Sequence, residues 1–125
     1  MLAETEKGVV QRLLASLRRR RFNYQNEKRL QDGIEACLLK DRIDFVREHP
    51  LGEAGVVDFL VGGFLGVEVK IKGSPSEVAR QLLRYAGQEE VKGLVLVTAR
   101  SSLSALPPEL LGKPLALVEL WRTFL

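Results

Sequence analysis

The sequence has few of the residues that build disulfides and soft-metal centres. Cys37 is the single cysteine and His49 the single histidine among 125 residues. One cysteine excludes an intramolecular disulfide and a cysteine-based metal site, so we expect a buried, unreactive thiol. His49 precedes a proline at the end of a predicted strand, where we expect a structural or solvent-exposed side chain.

Long apolar runs are also missing. No stretch reaches the roughly 20 apolar residues that span a bilayer. The N-terminal residues MLAETEKGVV contain no basic segment followed by an apolar one. We therefore expect a cytoplasmic protein. The length and the 46% hydrophobic and 28% charged residues suit one globular domain over residues 1–125, without repeats or linkers.

Positive charge is concentrated rather than abundant. The net charge is only +3, but Arg18, Arg19, Arg20 and Arg21 are consecutive. Apolar residues at helical spacing predict a helix over about residues 3–20 that ends in this run, which makes 1–21 a basic N-terminal helix. A solvated helix end and a phosphate-binding surface both fit the arginine run.

The remaining pattern predicts a mixed α/β fold. Asn26 is a candidate N-cap for a second helix over 27–40, whose apolar stripe includes Ile34 and Cys37. The sequence Ser74-Pro75-Ser76-Glu77 predicts the start of a third helix over 75–87. Three consecutive antiparallel strands are expected at 43–49, 55–61 and 65–72, a strand buried on both faces at 94–98, and a last strand at 115–120.

Two of these strands carry carboxylates. Because side chains two apart share a face of a strand, Glu68 and Lys70 point away from the apolar face formed by Val67, Val69 and Ile71. Asp58 interrupts the otherwise apolar run 56–61. A buried strand has no packing reason to carry an aspartate, so a functional role is indicated.

The turn between these strands decides whether the carboxylates meet. A three-residue loop, Gly62-Gly63-Phe64, places Asp58 opposite Glu68 on the same face, with Gly63 free to adopt a positive φ. A two-residue Gly-Gly loop would instead pair Asp58 with Val67 and send the two acids to opposite faces. A shared site therefore requires the odd-length loop or a bulge.

Two converging carboxylates beside a lysine suit a hard divalent cation. Mg²⁺ binds few protein oxygens and keeps several waters for substrate and nucleophile. Such a cation activates water and offsets the charge that builds on a phosphate. We therefore expect Mg²⁺ or Mn²⁺ between Asp58 and Glu68, with Lys70 orienting the water.

The spacing Asp58, nine residues, then Glu68-Val69-Lys70 resembles the Asp-x(n)-(Asp/Glu)-x-Lys signature of the PD-(D/E)XK nuclease superfamily. The element order over 27–99 also resembles the α-β-β-β-α-β core of its restriction-endonuclease-like fold, a mixed central sheet flanked by helices. Here an extra N-terminal helix precedes the core, and a C-terminal extension over 100–125 follows it. Gln81 and Tyr85, four apart, match the Gln-x-x-x-Tyr motif of RecB-like members. The proline that precedes the family's aspartate is replaced by Val57.

The resemblance implies a metal-dependent DNA nuclease that hydrolyses phosphodiester bonds in recombination, repair or phage-type DNA processing. Asp58, Glu68 and the Val69 carbonyl would hold the metal, Lys70 would assist the attacking water, and Gln81 would help to position the site. Many members add a glutamate from the helix before the strands. Glu27 is preferred to Glu35 because it lies about 30° from the centre of the apolar stripe, against more than about 90° for Glu35.

DNA is the expected partner. The predicted nucleic-acid surface consists of Arg18, Arg19, Arg20, Arg21, Lys72, Arg80, Arg84 and Tyr85. The alternative is a catalytically inactive nuclease-fold module that binds nucleic acid or a protein. Trp121 and Phe124 either pack within the chain or bury against a second subunit, so a homodimer stays open.

Overall fold

Local sequence signals set the positions of three helices and most of six strands. The computed structural model describes residues 1–120. The elements are α1 (Glu4–Arg18), α2 (Glu27–Lys40), β1 (Phe45–Pro50), β2 (Val56–Val61), β3 (Leu65–Lys70), α3 (Pro75–Ala86), β4 (Gly93–Thr98), β5 (Glu109–Leu110) and β6 (Lys113–Glu119). The expected α/β class is confirmed.

The strands form one mixed sheet in the order β1-β2-β3-β4-β6-β5. β1, β2 and β3 are antiparallel neighbours, as predicted. β3, β4 and β6 run parallel, and the two-residue β5 is antiparallel to β6. The carboxyl ends of the three parallel strands therefore lie at one edge of the sheet, where Lys70 ends β3.

Helices cover both faces of this sheet. Residues of α1 and α2, such as Leu17 and Ile34, pack with Val67 and Val69 on one face. Residues of α3, such as Leu82 and Tyr85, pack with Leu96 on the other. All six residues of β4 are buried because both of its faces are covered, which confirms the prediction of a doubly buried strand.

Several predicted boundaries move. α1 ends at Arg18, so Arg20 and Arg21 lie beyond the helix, and β3 ends at Lys70 rather than residue 72 because Gly73 turns the chain with φ 107°. β5 and the short 3₁₀ turn Ser101–Ala105 were not predicted.

Trp121 and Phe124 lie outside the described residues. Within residues 1–120, no helix is long and apolar enough to cross a membrane.

Both ends of α3 are tied down. The Ser74 hydroxyl accepts a hydrogen bond from the Glu77 N–H at 3.3 Å, and Pro75 occupies the first helical position, as predicted. At the other end, Lys113 Nζ donates to the carbonyls of Ala86 and Gln88 at 2.7 and 3.0 Å. A cation at this end complements the helix dipole. α3 therefore presents its side chains to the sheet in a fixed register.

Candidate active site

The β2–β3 hairpin has the register that the site requires. Phe59 pairs with Val67, and Val61 with Leu65, across the three-residue loop Gly62-Gly63-Phe64. Gly62 and Gly63 adopt φ values of 62° and 79°, which other residues rarely tolerate. The predicted odd-length loop is confirmed. Continued by one residue, this register places Asp58 opposite Glu68.

The backbone pairing of β2 with β3 ends at Phe59 and Val67, and beyond it the Asp58 and Glu68 carboxylates form the hydrogen bonds between the two strands. The Asp58 backbone N–H donates to Glu68 Oε1 at 3.1 Å, and the Val69 N–H donates to Asp58 Oδ2 at 2.8 Å. Each acid is thus held by the backbone of the opposite strand. The N–H and C=O of one strand residue point to the same side, so the Val69 carbonyl points toward β2, as its N–H does.

The neighbouring strand β1 is distorted at the same level. Its pairing with β2 includes Arg47 with Phe59 and His49 with Val57, but passes over Glu48 and Asp58. Glu48 has φ 55°, a left-handed conformation that costs a non-glycine residue roughly 1–2 kcal/mol. Nothing in the sequence predicted this left-handed conformation of Glu48. Such strain next to the paired acids is typical of functional sites.

Burial and mutual repulsion make this pair of acids electrostatically unfavourable. Glu68 is only 2% exposed. Burial, and next the Asp58 charge, raise the pKa of Glu68 to about 8. Burial also raises the pKa of Asp58, although the Val69 N–H and Lys70 oppose this. Lys70 Nζ lies 3.6 Å from Glu68 Oε2. With both acids ionised, one negative charge is left uncompensated, which favours a bound cation.

Tyr85 links α3 to both strands of the site. Gln81 Nε2 donates to the Tyr85 hydroxyl at 2.8 Å, and this hydroxyl donates to the Val56 carbonyl at 2.9 Å. The hydroxyl also lies 3.5 Å from Glu68 Oε2. Tyr85 is 1% exposed. This burial corrects the expectation that Tyr85 contacts nucleic acid: the residue supports the site from behind, and helical spacing alone did not reveal its depth.

Tyr85→Phe is expected to lower the free energy of unfolding by about 1–2 kcal/mol, because two part-buried hydrogen bonds, to the Val56 carbonyl and from the Gln81 amide, are lost. Urea denaturation measures the effect. Ser104→Ala is the control: it removes an exposed hydroxyl that donates to the Ser101 carbonyl at 2.7 Å, and it is expected to cost less. An unchanged urea midpoint for Tyr85→Phe would show that the hydroxyl anchors nothing.

The structure brings Glu27, and not Glu35, to the end of β3. Glu27 Oε1 accepts a hydrogen bond from the Ile71 N–H at 3.2 Å, one residue beyond Lys70. Glu35 Oε2 instead lies 3.6 Å from an Arg47 guanidinium nitrogen on β1. Of the two glutamates on α2, Glu27 is therefore the one beside the candidate site.

Arg20 is part of a structural network between α1 and α2. Its guanidinium donates to both carboxylate oxygens of Asp41 at 2.6 and 2.8 Å and to Cys37 Sγ at 3.0 Å. This contact and the Ser16 hydroxyl hold the pKa of Asp41 well below its usual range. Arg20 therefore connects α1 to α2, and its role in nucleic-acid binding stays a prediction. Cys37 is buried, as predicted.

The other three arginines of the run have different surroundings. Arg19 donates to Asp41 Oδ2 at 2.8 Å, and Arg18 donates to the Leu117 carbonyl of β6 at 3.0 Å. Arg21 is exposed. Asp41 follows the C-terminal end of α2 and Glu27 begins it, a separation of about 20 Å along the helix axis at 1.5 Å per residue. The contacts of Arg19 and Arg20 thus lie far from Glu27.

A basic cleft of about 360 Å³ opens beside Lys70. It runs from the end of β3 along α3 and is lined by Lys70, Lys72, Gly73, Glu77, Val78, Arg80, Gln81 and Arg84. Lys72, Arg80 and Arg84 are exposed and form no ion pair with any residue from 1 to 120. The structure thus groups these three predicted residues with Lys70 and Gln81 and separates them from the arginine run.

The donor atoms of the site suit a hard metal ion. Among residues 1–120, no group of three or more acidic, histidine or cysteine side chains comes close enough to hold a metal. The site instead provides two carboxylates and the adjacent Val69 carbonyl. This small all-oxygen set fits Mg²⁺ or Mn²⁺, since Mg²⁺ usually takes one or two carboxylates and keeps water in its other positions.

Comparisons with known proteins identify no relative. No protein-family model matches the chain, and searches of curated proteins and of solved structures also find no match.

Proposed function

We propose that the protein is a metal-dependent deoxyribonuclease that hydrolyses phosphodiester bonds. One observation carries the proposal: the hairpin register brings Asp58 and Glu68 together at the end of β3, with Lys70 Nζ 3.6 Å from Glu68. Structural carboxylates are seldom buried next to each other, because each raises the energetic cost of ionising the other. A bound cation removes that cost.

The surrounding fold supports the same proposal. From α2 to β4 the element order is α-β-β-β-α-β around a mixed sheet. This order resembles the PD-(D/E)XK core, and the Gln81–Tyr85 hydrogen bond gives the RecB-like motif a structural role beside the acids. This resemblance implies DNA processing in recombination, repair or a phage-type pathway.

The residues divide the chemical work. Asp58, Glu68 and the Val69 carbonyl would hold Mg²⁺ or Mn²⁺, which when bound supplies a Lewis acid for the phosphate and lowers the pKa of water. The Lys70 ammonium is placed to donate a hydrogen bond to the attacking water or to a phosphate oxygen. Glu27 accepts from the Ile71 N–H and so holds the backbone just after Lys70. Gln81 lines the cleft with its amide held by Tyr85.

The basic cleft supplies the substrate contacts. Lys72, Arg80 and Arg84 have no acidic partner among residues 1–120, so their charges are available for phosphates. Contacts between cations and phosphates position a nucleic acid without reading its sequence. A DNA strand lying along α3 would therefore bring one phosphate to Lys70 and the acids, with neighbouring phosphates on the three cations.

The direct test incubates the full chain with labelled single-stranded, duplex, flapped and four-way DNA. Cleavage of at least one substrate is expected with Mg²⁺ or Mn²⁺ and none with EDTA. A folded protein that cuts none of the four with either metal would refute the nuclease proposal. DNA binding without cleavage in that experiment would favour the inactive nuclease-fold module instead.

A further inference from the structure

A second basic surface, here called the α2 groove, lies between the α1–α2 connection and the outer face of α2. It has a volume of about 230 Å³. The residues used below are Arg20, Arg21, Phe22, Arg29, Gly33 and Lys40, all of which line it. Its lining contains four cations and no carboxylate. Arg29 and Lys40 are exposed and form no ion pair within residues 1–120.

The floor of the groove is apolar and closed. Phe22 packs over Gly33 so tightly that a β-carbon on Gly33 would lie 3.1 Å from the Phe22 ring. Phe22 is only 8% exposed, so its ring is not available for stacking on a base. Proteins that bind single strands usually stack bases on exposed aromatic rings. Cations around a closed floor instead suit the sugar-phosphate backbone of a duplex.

The dimensions of the groove agree with a duplex. Arg29 and Lys40 are eleven positions apart on α2, about 16 Å along the axis at 1.5 Å per residue. Each strand of duplex DNA carries a phosphate every 3.4 Å or so, so this distance corresponds to about five phosphates. Arg29 follows Glu27 by two positions, so one end of the groove lies at the same level of α2 as Glu27, but on the opposite face of the helix.

We propose that the α2 groove is a second nucleic-acid site, which binds the sugar-phosphate backbone of the duplex flanking the position of cleavage. The identity of the ligand as substrate DNA rests on the proposed nuclease function. The groove itself is defined by its own charges and shape. Arg29 and Lys40 carry the interaction, because Arg20 is already paired with Asp41.

The test measures binding without cleavage, by fluorescence anisotropy of a labelled 30-base-pair duplex in EDTA. Arg29→Ala/Lys40→Ala is expected to weaken binding by about 10- to 100-fold at low salt. The slope of log affinity against log salt should fall by about two, one for each phosphate that is no longer neutralised. The affinity of this double variant for a short single-stranded oligonucleotide should equal that of the wild-type protein.

Lys7→Ala/Lys28→Ala is the matched control. Both lysines are exposed, lie outside the groove and pair with Glu4 and Asp32 at helical spacing. The control removes the same charge and should change duplex affinity by less than about twofold. Equal losses in both double variants, an unchanged salt slope, or an equal loss for the single strand would each overturn the proposal.

The two proposals fail in different ways. Cleavage of DNA by a protein whose duplex affinity is unaffected by Arg29→Ala/Lys40→Ala would refute the groove and leave the nuclease assignment standing. Groove-dependent duplex binding by a chain that cuts no DNA would refute the nuclease assignment and support the groove.

Discussion

Lys70→Ala is expected to lower the rate of metal-dependent DNA cleavage by about 10³-fold, the range measured when a positioned proton donor or charge-stabilising group is removed. The Lys70 ammonium is the only cation within 4.0 Å of Glu68 among residues 1–120. Its loss removes the group placed to orient the water or bind the phosphate. Single-turnover rates at saturating Mn²⁺ measure the effect, so that weakened metal binding does not contribute.

Lys72→Ala is the matched control for this variant. Lys72 lines the same cleft two positions further on, but it is exposed and forms no ion pair within residues 1–120. We expect Lys72→Ala to raise KM with little change in kcat, because an interaction with phosphate that is equally strong in the ground and transition states affects binding alone. If Lys70→Ala retains the wild-type rate, the cleavage arises from a contaminant and the assignment fails.

Glu68→Gln is expected to stabilise the metal-free protein at pH 8. Because the pKa of Glu68 is raised to about 8 in the folded state, the folded protein binds this proton more tightly than the unfolded chain. Unfolding therefore releases the proton between about pH 5 and pH 8, and stability falls as the pH rises through this window. Each tenfold difference in proton affinity corresponds to about 1.4 kcal/mol, so the loss reaches a few kcal/mol.

Thermal melts in EDTA between pH 5 and pH 9 test this expectation. The melting temperature of the wild-type protein should fall across the window, and that of Glu68→Gln should fall less. Asp58 changes stability in the same direction because its pKa is also raised. Glu89→Gln makes the same chemical change at an exposed position and should leave the profile unaltered. Parallel profiles for the wild-type protein and Glu68→Gln would disprove the buried-pair electrostatics.

Metal addition completes this comparison. Ligands must lose their protons to bind a cation, so Mn²⁺ should stabilise the wild-type protein more at pH 8 than at pH 5. Glu68→Gln should lose most of this stabilisation. Glu68 would thus lower the stability of the metal-free protein and also hold the cation. Such a trade-off between stability and activity is common at functional sites.

The parts of the fold that could be predicted depend on short-range rules. Ser74 and Pro75 determine the start of α3, because capping involves residues within one helical turn. The register of Asp58 and Glu68 follows from counting residues across a glycine turn. Glu27 was separated from Glu35 by helical geometry alone.

The parts that could not be predicted depend on contacts distant in sequence. Arg20 looked like a free cation because its partner Asp41 is 21 positions away. Tyr85 matched the motif, but its burial depends on how α3 lies on β2 and β3. The left-handed conformation of Glu48 has no sequence signal, since a glutamate rarely adopts it.

The way Asp58 and Glu68 accept hydrogen bonds from the opposing backbone bears on how such a chain can evolve. An amide oxygen accepts a hydrogen bond from the same N–H group, so an asparagine or glutamine at either position can preserve the sheet. One nucleotide change converts an aspartate codon to an asparagine codon. Under the proposed function, one substitution could therefore remove catalysis while the scaffold and its two basic surfaces persist. The hydrogen bonds that hold these two strands together therefore do not by themselves require either residue to be an acid.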